Sequence, residues 1–324
     1  MILKEKKLSP ILIVGGAGYI GSHVDIYLRD HGYSTIVIDN LERGHRDAVL
    51  HDDFFHLDIR DTQALDEICS KFPVSAVMHF AAYAYIGESV HEPLRYYHNN
   101  VGGVISLLEC MQRHNIQKLI FSSSCATYGN PEYLPIDENH PQKPVNPYGW
   151  SKFMAEQIMA DCDVAWGLKT VTLRYFNAAG EDALGRAHER HDPETHLIPL
   201  VLKAAENPDT VIRIFGTDYD TPDGTCIRDY IHVIDLAQAH LLALEYLLAG
   251  GKGQAYNLAN GAGYSVREVI KNAERVTGKP IPIIECPRRK GDPPVLVGNA
   301  EKIIRELGWK TTIPNLENII KTVW

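Results

Sequence analysis

The sequence predicts an α/β fold: a doubly wound parallel sheet joined to a smaller mixed α/β C-terminal unit. Three observations carry that prediction. From residue 11 to about 175, short β-branched runs alternate with longer amphipathic stretches, the rhythm of strands separated by crossover helices. A glycine-rich turn, "VGGAGYIG", directly follows the first run. After residue 176 the rhythm loosens into Pro- and Gly-rich segments such as "AHERHDPETH" and "GTDYDTPDGTCIRD".

The individual elements follow in order. Strands are expected at "ILIV" (11–14), "STIVID" (34–39), "FFHLD" (54–58), "SAVMHF" (75–80), "KLIFSS" (118–123) and "KTVTLRY" (169–175), each short, apolar and rich in β-branched or aromatic residues. In "NPYGWSKFMAEQ" a proline precedes a run of good helix formers, so a helix starts near residue 147. The helical pattern "VIDLAQAHLLALEYLLAG" from 233 and the apolar "QAYNLA" at 254–259 return to the first domain. This gives a division into 1–176 plus 232–259, and 177–231 plus 260–324. The closing "LENIIKTVW" has helical spacing to Trp324, with the expectation that a tail continues beyond it.

Composition excludes several classes. Thirty-two basic against forty-one acidic residues leave a net charge of -9, unsuited to nonspecific nucleic-acid binding, which draws on clustered positive charge. The six cysteines (Cys69, Cys110, Cys125, Cys162, Cys226, Cys286) form no C-x-x-C pair, so neither a zinc ribbon nor a disulfide scaffold is expected. The lysines and apolar run of "MILKEKKLSPILIVGGAGYIG" could pass for a secretory signal. Its glycines and the missing cleavage site instead indicate a buried strand and turn. No segment has the length and apolarity of a membrane span, and a cytoplasmic protein is expected.

The chemistry begins at the glycines. Gly15, Gly18 and Gly21 stand between the first strand and a helix, where the backbone can approach a diphosphate and the helix N-terminus can hold it, as in Rossmann-like dinucleotide sites. The second strand ends in Asp39, 18 residues beyond Gly21, where a carboxylate accepts hydrogen bonds from ribose hydroxyls and repels a 2′-phosphate; NAD is therefore expected rather than NADP. Asp58 with Ile59, and Phe80 with Ala81, occupy the ends of the third and fourth strands, where such a sheet meets its ligand. Tyr148 and Lys152, four residues apart, share one helix face; an ammonium beside a phenol favours phenolate and makes a base. One of the serines ending the fifth strand could hydrogen-bond a substrate oxygen beside Tyr148.

The segments "GGAGYIG", "HFAA", "GESV", "YYHNN", "SSSCATYG", "NPYGWSK", "LRYFNAAG", "HLIPLV", "DGTCIRDYIHV" and "RRKGD" resemble, in order and spacing, the extended short-chain dehydrogenase/reductase family. The resemblance spans nearly the whole chain and is strongest to members that invert carbon 4 of a UDP-hexose through a transient 4-keto sugar and tightly bound NAD. It implies that Tyr148 removes the 4-hydroxyl proton, that Lys152 binds the nicotinamide ribose and lowers the tyrosine pKa, and that Ser124 positions the hydroxyl. Cofactor contacts would come from Gly15, Gly18, Tyr19, Ile20, Gly21, Asp39, Asn40, Asp58, Ile59, Phe80, Ala81, Asn99, Ser122, Tyr148, Lys152 and Tyr175. The UDP-sugar would meet Ser124, Tyr148, Asn177, His196, Leu197, Phe215, Arg228, Arg289, Asp292 and Leu296. A homodimer paired through helices around 92–114 and 148–166 is a further implication; no membrane or nucleic-acid partner is implied. The arginines have an independent rationale, since their forked donors match diphosphate oxygens.

Departures refine the reading. Family members that eliminate water carry Asp and Glu after the serine; Cys125 and Ala126 stand here, which speaks against elimination. Ala84 replaces a lysine that similar epimerases often place near the nicotinamide. "YAYIGES", "PLRYYHN" and "CATYGNPEYLPI" also resemble UDP-pentose 4-epimerising members, and Leu296 is intermediate between side chains that exclude and that admit an N-acetyl group. UDP-pentoses and UDP-N-acetylhexosamines are therefore alternative substrates. His188, His191 and His196 lie in a loop without an evident carboxylate set and are taken as a solvated or substrate loop, with no metal expected.

Overall fold

A computed structural model describes residues 9–289 and 292–324. The first eight residues, and Lys290 and Gly291 of "RRKGD", lie outside the described residues.

Among the described residues, thirteen strands run in chain order: β1 Ile11–Val14, β2 Thr35–Asp39, β3 Phe54–His56, β4 Ala76–His79, β5 Lys118–Ser124, β6 Lys169–Tyr175, β7 Asn177–Ala179, β8 Ile212–Phe215, β9 Ile227–His232, β10 Gln254–Leu258, β11 Gly263–Ser265, β12 Ile283–Cys286 and β13 Val295–Leu296. The longer helices are α1 Tyr19–Asp30, α2 Thr62–Lys71, α3 Gly103–Arg113, α4 Pro147–Trp166, α5 Leu197–Glu206, α6 Val233–Leu248 and α7 Val266–Thr277. The seven-stranded sheet has the order β10-β6-β5-β4-β1-β2-β3, with β1 parallel to both β2 and β4. Chain order therefore reverses between β1 and β4, the crevice where such sheets take their ligands. The doubly wound architecture is the one expected, and all six strands expected before residue 176 form. The closing helix, Leu316–Lys321, ends at Thr322 and does not reach Trp324 as the spacing had suggested.

The described chain forms two compact units. One comprises the chain up to Gly129, Gln142–Arg174 and Leu236–Tyr256; the other comprises Asn130–Pro141, Tyr175–Asp235 and Asn257–Trp324. In the first, β1 is wholly buried and packs Leu12 and Val14 with Val77, Leu107, Leu119 and Phe121. The continuous apolar runs of these strands reflect burial on both faces.

In the second unit, Asn130–Pro141 is drawn in through Ile136, whose N–H donates to Val297 O (2.9 Å) and whose carbonyl accepts from Asn299 N (2.8 Å) and Asn257 Nδ2 (2.9 Å). Its core joins α5, β8, α7 and the closing helix through Val201, Ile212, Val269 and Ile319. Buried Asp235 accepts from Thr312 N (2.8 Å) and Ile313 N (3.1 Å), and its carbonyl takes the indole N–H of buried Trp309 (3.0 Å).

Two buried histidines are expected to make the first unit less stable in acid. Burial holds His240 down at about 4, against the raising effect of its bond to Leu236 O, and holds His79 down at about 3, helped by the Lys152 charge. An unfolded histidine titrates near ~6.5, so the unfolded chain binds more protons than the folded one as pH falls below that value. The contribution is fully present above ~6.5 and is lost progressively toward pH 4 and below. The urea midpoint should drop between pH 7 and pH 4.5, and less steeply in His240→Leu; equal slopes would refute the assignment.

Candidate active site

The turn after β1 is shaped by its glycines. Gly15 has φ 79°, and a Cβ there would sit 2.4 Å from Ala81 N; a Cβ on Gly21 would sit 2.3 Å from Gly15 O. Only glycine allows the turn to close on the end of β4 and helix α1 to begin directly behind it. Gly18 caps α1, and its carbonyl takes the first helical bond from Ser22 N (2.9 Å).

Asp39 faces this turn. Its carboxylate accepts from Ala17 N (3.0 Å) and Leu41 N (2.8 Å), which fixes its plane. Burial raises its pKa, and these two bonds work against the rise. Beside it, Asn40 donates to Asp58 (3.1 Å). Arg60 grips Asp58 with two side-chain bonds (2.8 and 2.6 Å) and holds its carboxyl well below the usual range. Ile59 is buried in the core, and Phe80, whose N–H donates to Val14 O (2.7 Å), lies against the His240 ring. The structure thus gathers Gly15, Gly18, Asp39, Asn40, Asp58, Phe80 and Ala81 at the carboxyl ends of β1–β4.

Asn99 lies in a π-helical turn, Tyr97–Gly102, and donates to Asn100 Oδ1 (3.0 Å). Asn100 in turn bonds Tyr83 O (3.0 Å) and Ser151 Oγ (2.9 Å), tying this turn to α4. Such bulged turns recur at functional sites. Tyr175, the last residue of β6, is buried in the second unit.

Helix α4 positions the tyrosine and the lysine. Asn146 caps it by accepting from Gly149 N (2.8 Å), and Pro147 occupies the first turn. The Lys152 ammonium donates to Ser122 O (2.7 Å) at the end of β5 and lies 5.0 Å from the Phe121 ring centroid. Burial lowers its pKa to about 7, opposed by the Glu156 carboxylate one turn on. Tyr148 keeps some exposed surface, yet burial pushes its phenol up to about 12; a bond with the Ser124 hydroxyl works in the other direction. The ammonium is committed to the Ser122 carbonyl, and within the chain it is Ser124 that favours phenolate.

Behind this pair lies a network that sequence reasoning missed. Buried Glu156 accepts from Arg174 (2.6 and 3.2 Å), Ser123 Oγ (2.5 Å) and Gln142 (3.0 Å), while Arg174 also donates to Tyr128 OH (2.9 Å). The available signal was Glu156, four residues after Lys152 on the same helix face.

In the second unit, five expected substrate residues converge. Leu296 pairs with Arg228 across β13 and β9. Arg228 donates to Pro293 O (3.0 Å), and Asp292 stands between Arg228 (3.8 Å) and Arg289 (3.7 Å), whose guanidinium lies over the Phe215 ring at 4.3 Å. Asn177 is placed by β7 opposite Tyr230 of β9, two residues from Arg228. His196 caps α5 just before Leu197 and belongs to a different cluster. The loop before α5, expected to have no carboxylate set, in fact brings Glu189 and Glu194 to His191 and His196. Burial would lower His191, but the two carboxylates outweigh it and hold it up at about 9.

Residues 11–259 match the profile described as the NAD dependent epimerase/dehydratase family. The chain belongs to that family. A UDP-glucose 4-epimerase of Halalkalibacterium halodurans is 50% identical over 314 residues, covering 97% of this chain and 94% of that protein. Among solved structures, the UDP-glucose 4-epimerase of Brucella ovis in complex with NAD aligns with a TM-score of 0.95 at 50% identity, covering 97% of each chain. The UDP-glucose 4-epimerase of Stenotrophomonas maltophila, with bound NAD and formylated UDP-arabinopyranose, aligns at 0.93 and 37% identity, covering 98% of this chain and 97% of that one. Membership fits the tight glycine turn after β1, closed on Ala81 and on helix α1, and the Asp39 carboxylate held beside it by Ala17 N and Leu41 N.

Asp39→Ala should weaken NAD retention without unfolding the sheet, since the side chain's two backbone partners, Ala17 and Leu41, lie in turns outside the strands. Cofactor carried through gel filtration, read by absorbance after denaturation, checks this; undiminished retention would remove Asp39 from the site.

Proposed function

We propose that this chain is a UDP-glucose 4-epimerase, interconverting UDP-glucose and UDP-galactose. The observation that carries the reading is the placement of Tyr148, Ser124 and Lys152 at the carboxyl end of β5, in a family member that lacks acidic residues at Cys125 and Ala126. Gly15, Gly18, Tyr19, Ile20 and Gly21 hold the NAD diphosphate, and Asp39 the adenosine ribose. Oxidised NAD, when bound, supplies the hydride acceptor and a positive charge that favours phenolate at Tyr148. Ser124 orients the sugar 4-hydroxyl, Tyr148 takes its proton, and Lys152 stays anchored on Ser122 O beside the ribose. Once the flat 4-keto sugar has turned over and regained its hydride at carbon 4 from the opposite face, Tyr148 returns the proton to the 4-oxygen.

Arg228, Arg289 and Phe215 of the second unit hold the UDP, matching forked donors to the diphosphate charge. Residues 177–231 and 260–324 serve as the sugar-nucleotide domain. A homodimer is part of the same reading, supported by exposed apolar side chains on the helices expected to pair, Leu94 (71% exposed) and Val164 (91%) among them. A cytoplasmic location is supported by six cysteines that are all free thiols. Among the described residues no helix is long and apolar enough to cross a membrane.

Purified protein incubated with UDP-galactose and no added cofactor should form UDP-glucose. Stoichiometric cofactor reduction with release of a 4-keto sugar would point to a dehydrogenase instead, and absence of turnover on any UDP-sugar would refute catalysis. UDP-N-acetylgalactosamine in the same assay should react weakly, because Leu296 leaves an acetamido group short of partners, which costs about 1–3 kcal/mol.

A further inference from the structure

We propose that the loop Glu189–His196 is a structural zinc-class metal site made by Glu189, His191, Glu194 and His196. The four residues follow a Glu-x-His-x-x-Glu-x-His spacing immediately before helix α5. One donor atom from each lies within 4.8 Å of every other.

The distances decide between an ion site and a set of simple ion pairs. Glu189 Oε1 lies 3.4 Å from His191 Nδ1 and 3.2 Å from His196 Nδ1; a Glu194 oxygen lies 3.5 Å from His191 Nδ1, and its other oxygen 2.8 Å from His196 Nδ1. Charge-assisted hydrogen bonds between imidazolium and carboxylate run about 2.7–2.9 Å, and three of these four contacts are longer. Ligand atoms at about 2.0–2.1 Å from a tetrahedral zinc lie about 3.3 Å apart, close to the 3.2–3.5 Å of three of the six donor pairs here. Two imidazoles and two carboxylates are also an accepted donor set for such an ion.

A second observation points the same way. The Glu189 side chain is 2% exposed, and its Oε1 has no hydrogen-bond partner although it is buried and aimed at the two imidazoles. A buried carboxylate oxygen without a donor costs free energy unless a cation faces it. The surrounding contacts hold the donors in place, as outer partners do at metal centres. Glu181 accepts from the Glu189 N–H (3.0 Å) and bonds His188 (2.6 Å), while Glu194 Oε1 accepts from the N–H groups of Thr195 and His196 (2.7 Å each). That leaves Glu194 Oε2 for the ion. Four protein ligands close the coordination sphere, so the ion fastens the loop to the start of α5 and performs no chemistry. Without it, the same groups hold a proton on His191, which the ion would displace.

The test uses the untagged full chain, stripped with a chelator and titrated with Co²⁺ as a spectroscopic probe. One equivalent should bind with the intense visible absorption of a tetrahedral complex, be displaced by Zn²⁺, and lose that absorption in Glu189→Gln and in His191→Ala. Absence of a tetrahedral spectrum in the wild-type chain, or a spectrum that survives in both variants, overturns the proposal. If a variant does not fold, hydrogen exchange of the wild-type chain decides: Zn²⁺ should slow exchange at residues 189–196, and unchanged exchange there overturns it.

Discussion

Replacing Tyr148 by Phe will lower turnover of UDP-galactose by ~10²- to 10⁴-fold while NAD stays bound, the usual loss when a positioned proton-transfer group is removed. The substitution deletes one oxygen and almost no volume, and α4 keeps its Asn146 cap and the Lys152 anchor on Ser122 O. Loss of activity then cannot be assigned to a displaced helix. The wild-type phenol, pushed up to about 12 by burial, is protonated at neutral pH until cationic groups gather beside it. Activity should therefore rise with pH on the alkaline side of neutrality in the wild type, and the residual rate of Tyr148→Phe should lack that dependence. Single-turnover rates across pH would check both; a variant at full rate would show that another group moves the proton.

Glu156→Gln is expected to destabilise the first unit by about 3–5 kcal/mol, the usual consequence of leaving one partner of a buried ion pair uncompensated. Arg174 is buried, and its guanidinium makes two bonds to Glu156 and one to Tyr128. Ser123 and Gln142 lose a charged acceptor at the same time. The double variant Glu156→Leu with Arg174→Met should recover much of the loss, since two apolar side chains of similar volume replace both charges together. Urea unfolding of the three proteins measures this; a single variant as stable as the wild type would show that the pair carries no stability. The single variant should also reduce NAD retention, because the Glu156 carboxylate is what opposes the burial-driven loss of the Lys152 proton.

What could be read from the chain alone was whatever is written in short windows. The strands through residue 175, the glycine turn, Asp39 at the end of β2, and the Tyr148–Lys152 spacing are all local patterns of period, cap and turn chemistry, and the structure places them as those patterns imply. The Glu156–Arg174 pair is not local. Its members are 18 residues apart, on α4 and β6, and only the packed sheet brings them together. Sequence gave an ammonium near a phenol and suggested a direct electrostatic effect; the actual direction of each shift depends on burial, which no spacing encodes. The π-helical turn bearing Asn99 was likewise silent, because one extra residue in a helical turn leaves no compositional trace. In the loop before α5 the histidines were visible, but the glutamates counted as carboxylate ligands only once the chain folded back on itself.

Helix α4 carries Tyr148, Lys152 and the buried Glu156 spaced by four along a single stripe. An α-helix advances about 100° per residue, so the stripe works as an indexed shaft. Substitutions between those positions change one contact at a time. A single inserted or deleted residue between Tyr148 and Glu156 would instead rotate everything beyond it by about 100°, turning Lys152 or Glu156 away from β5 and β6 at a stroke. The eight-residue interval from Tyr148 to Glu156 therefore tolerates changes of letter far better than changes of length, and length variation among functional relatives should be confined to the helix beyond Met159.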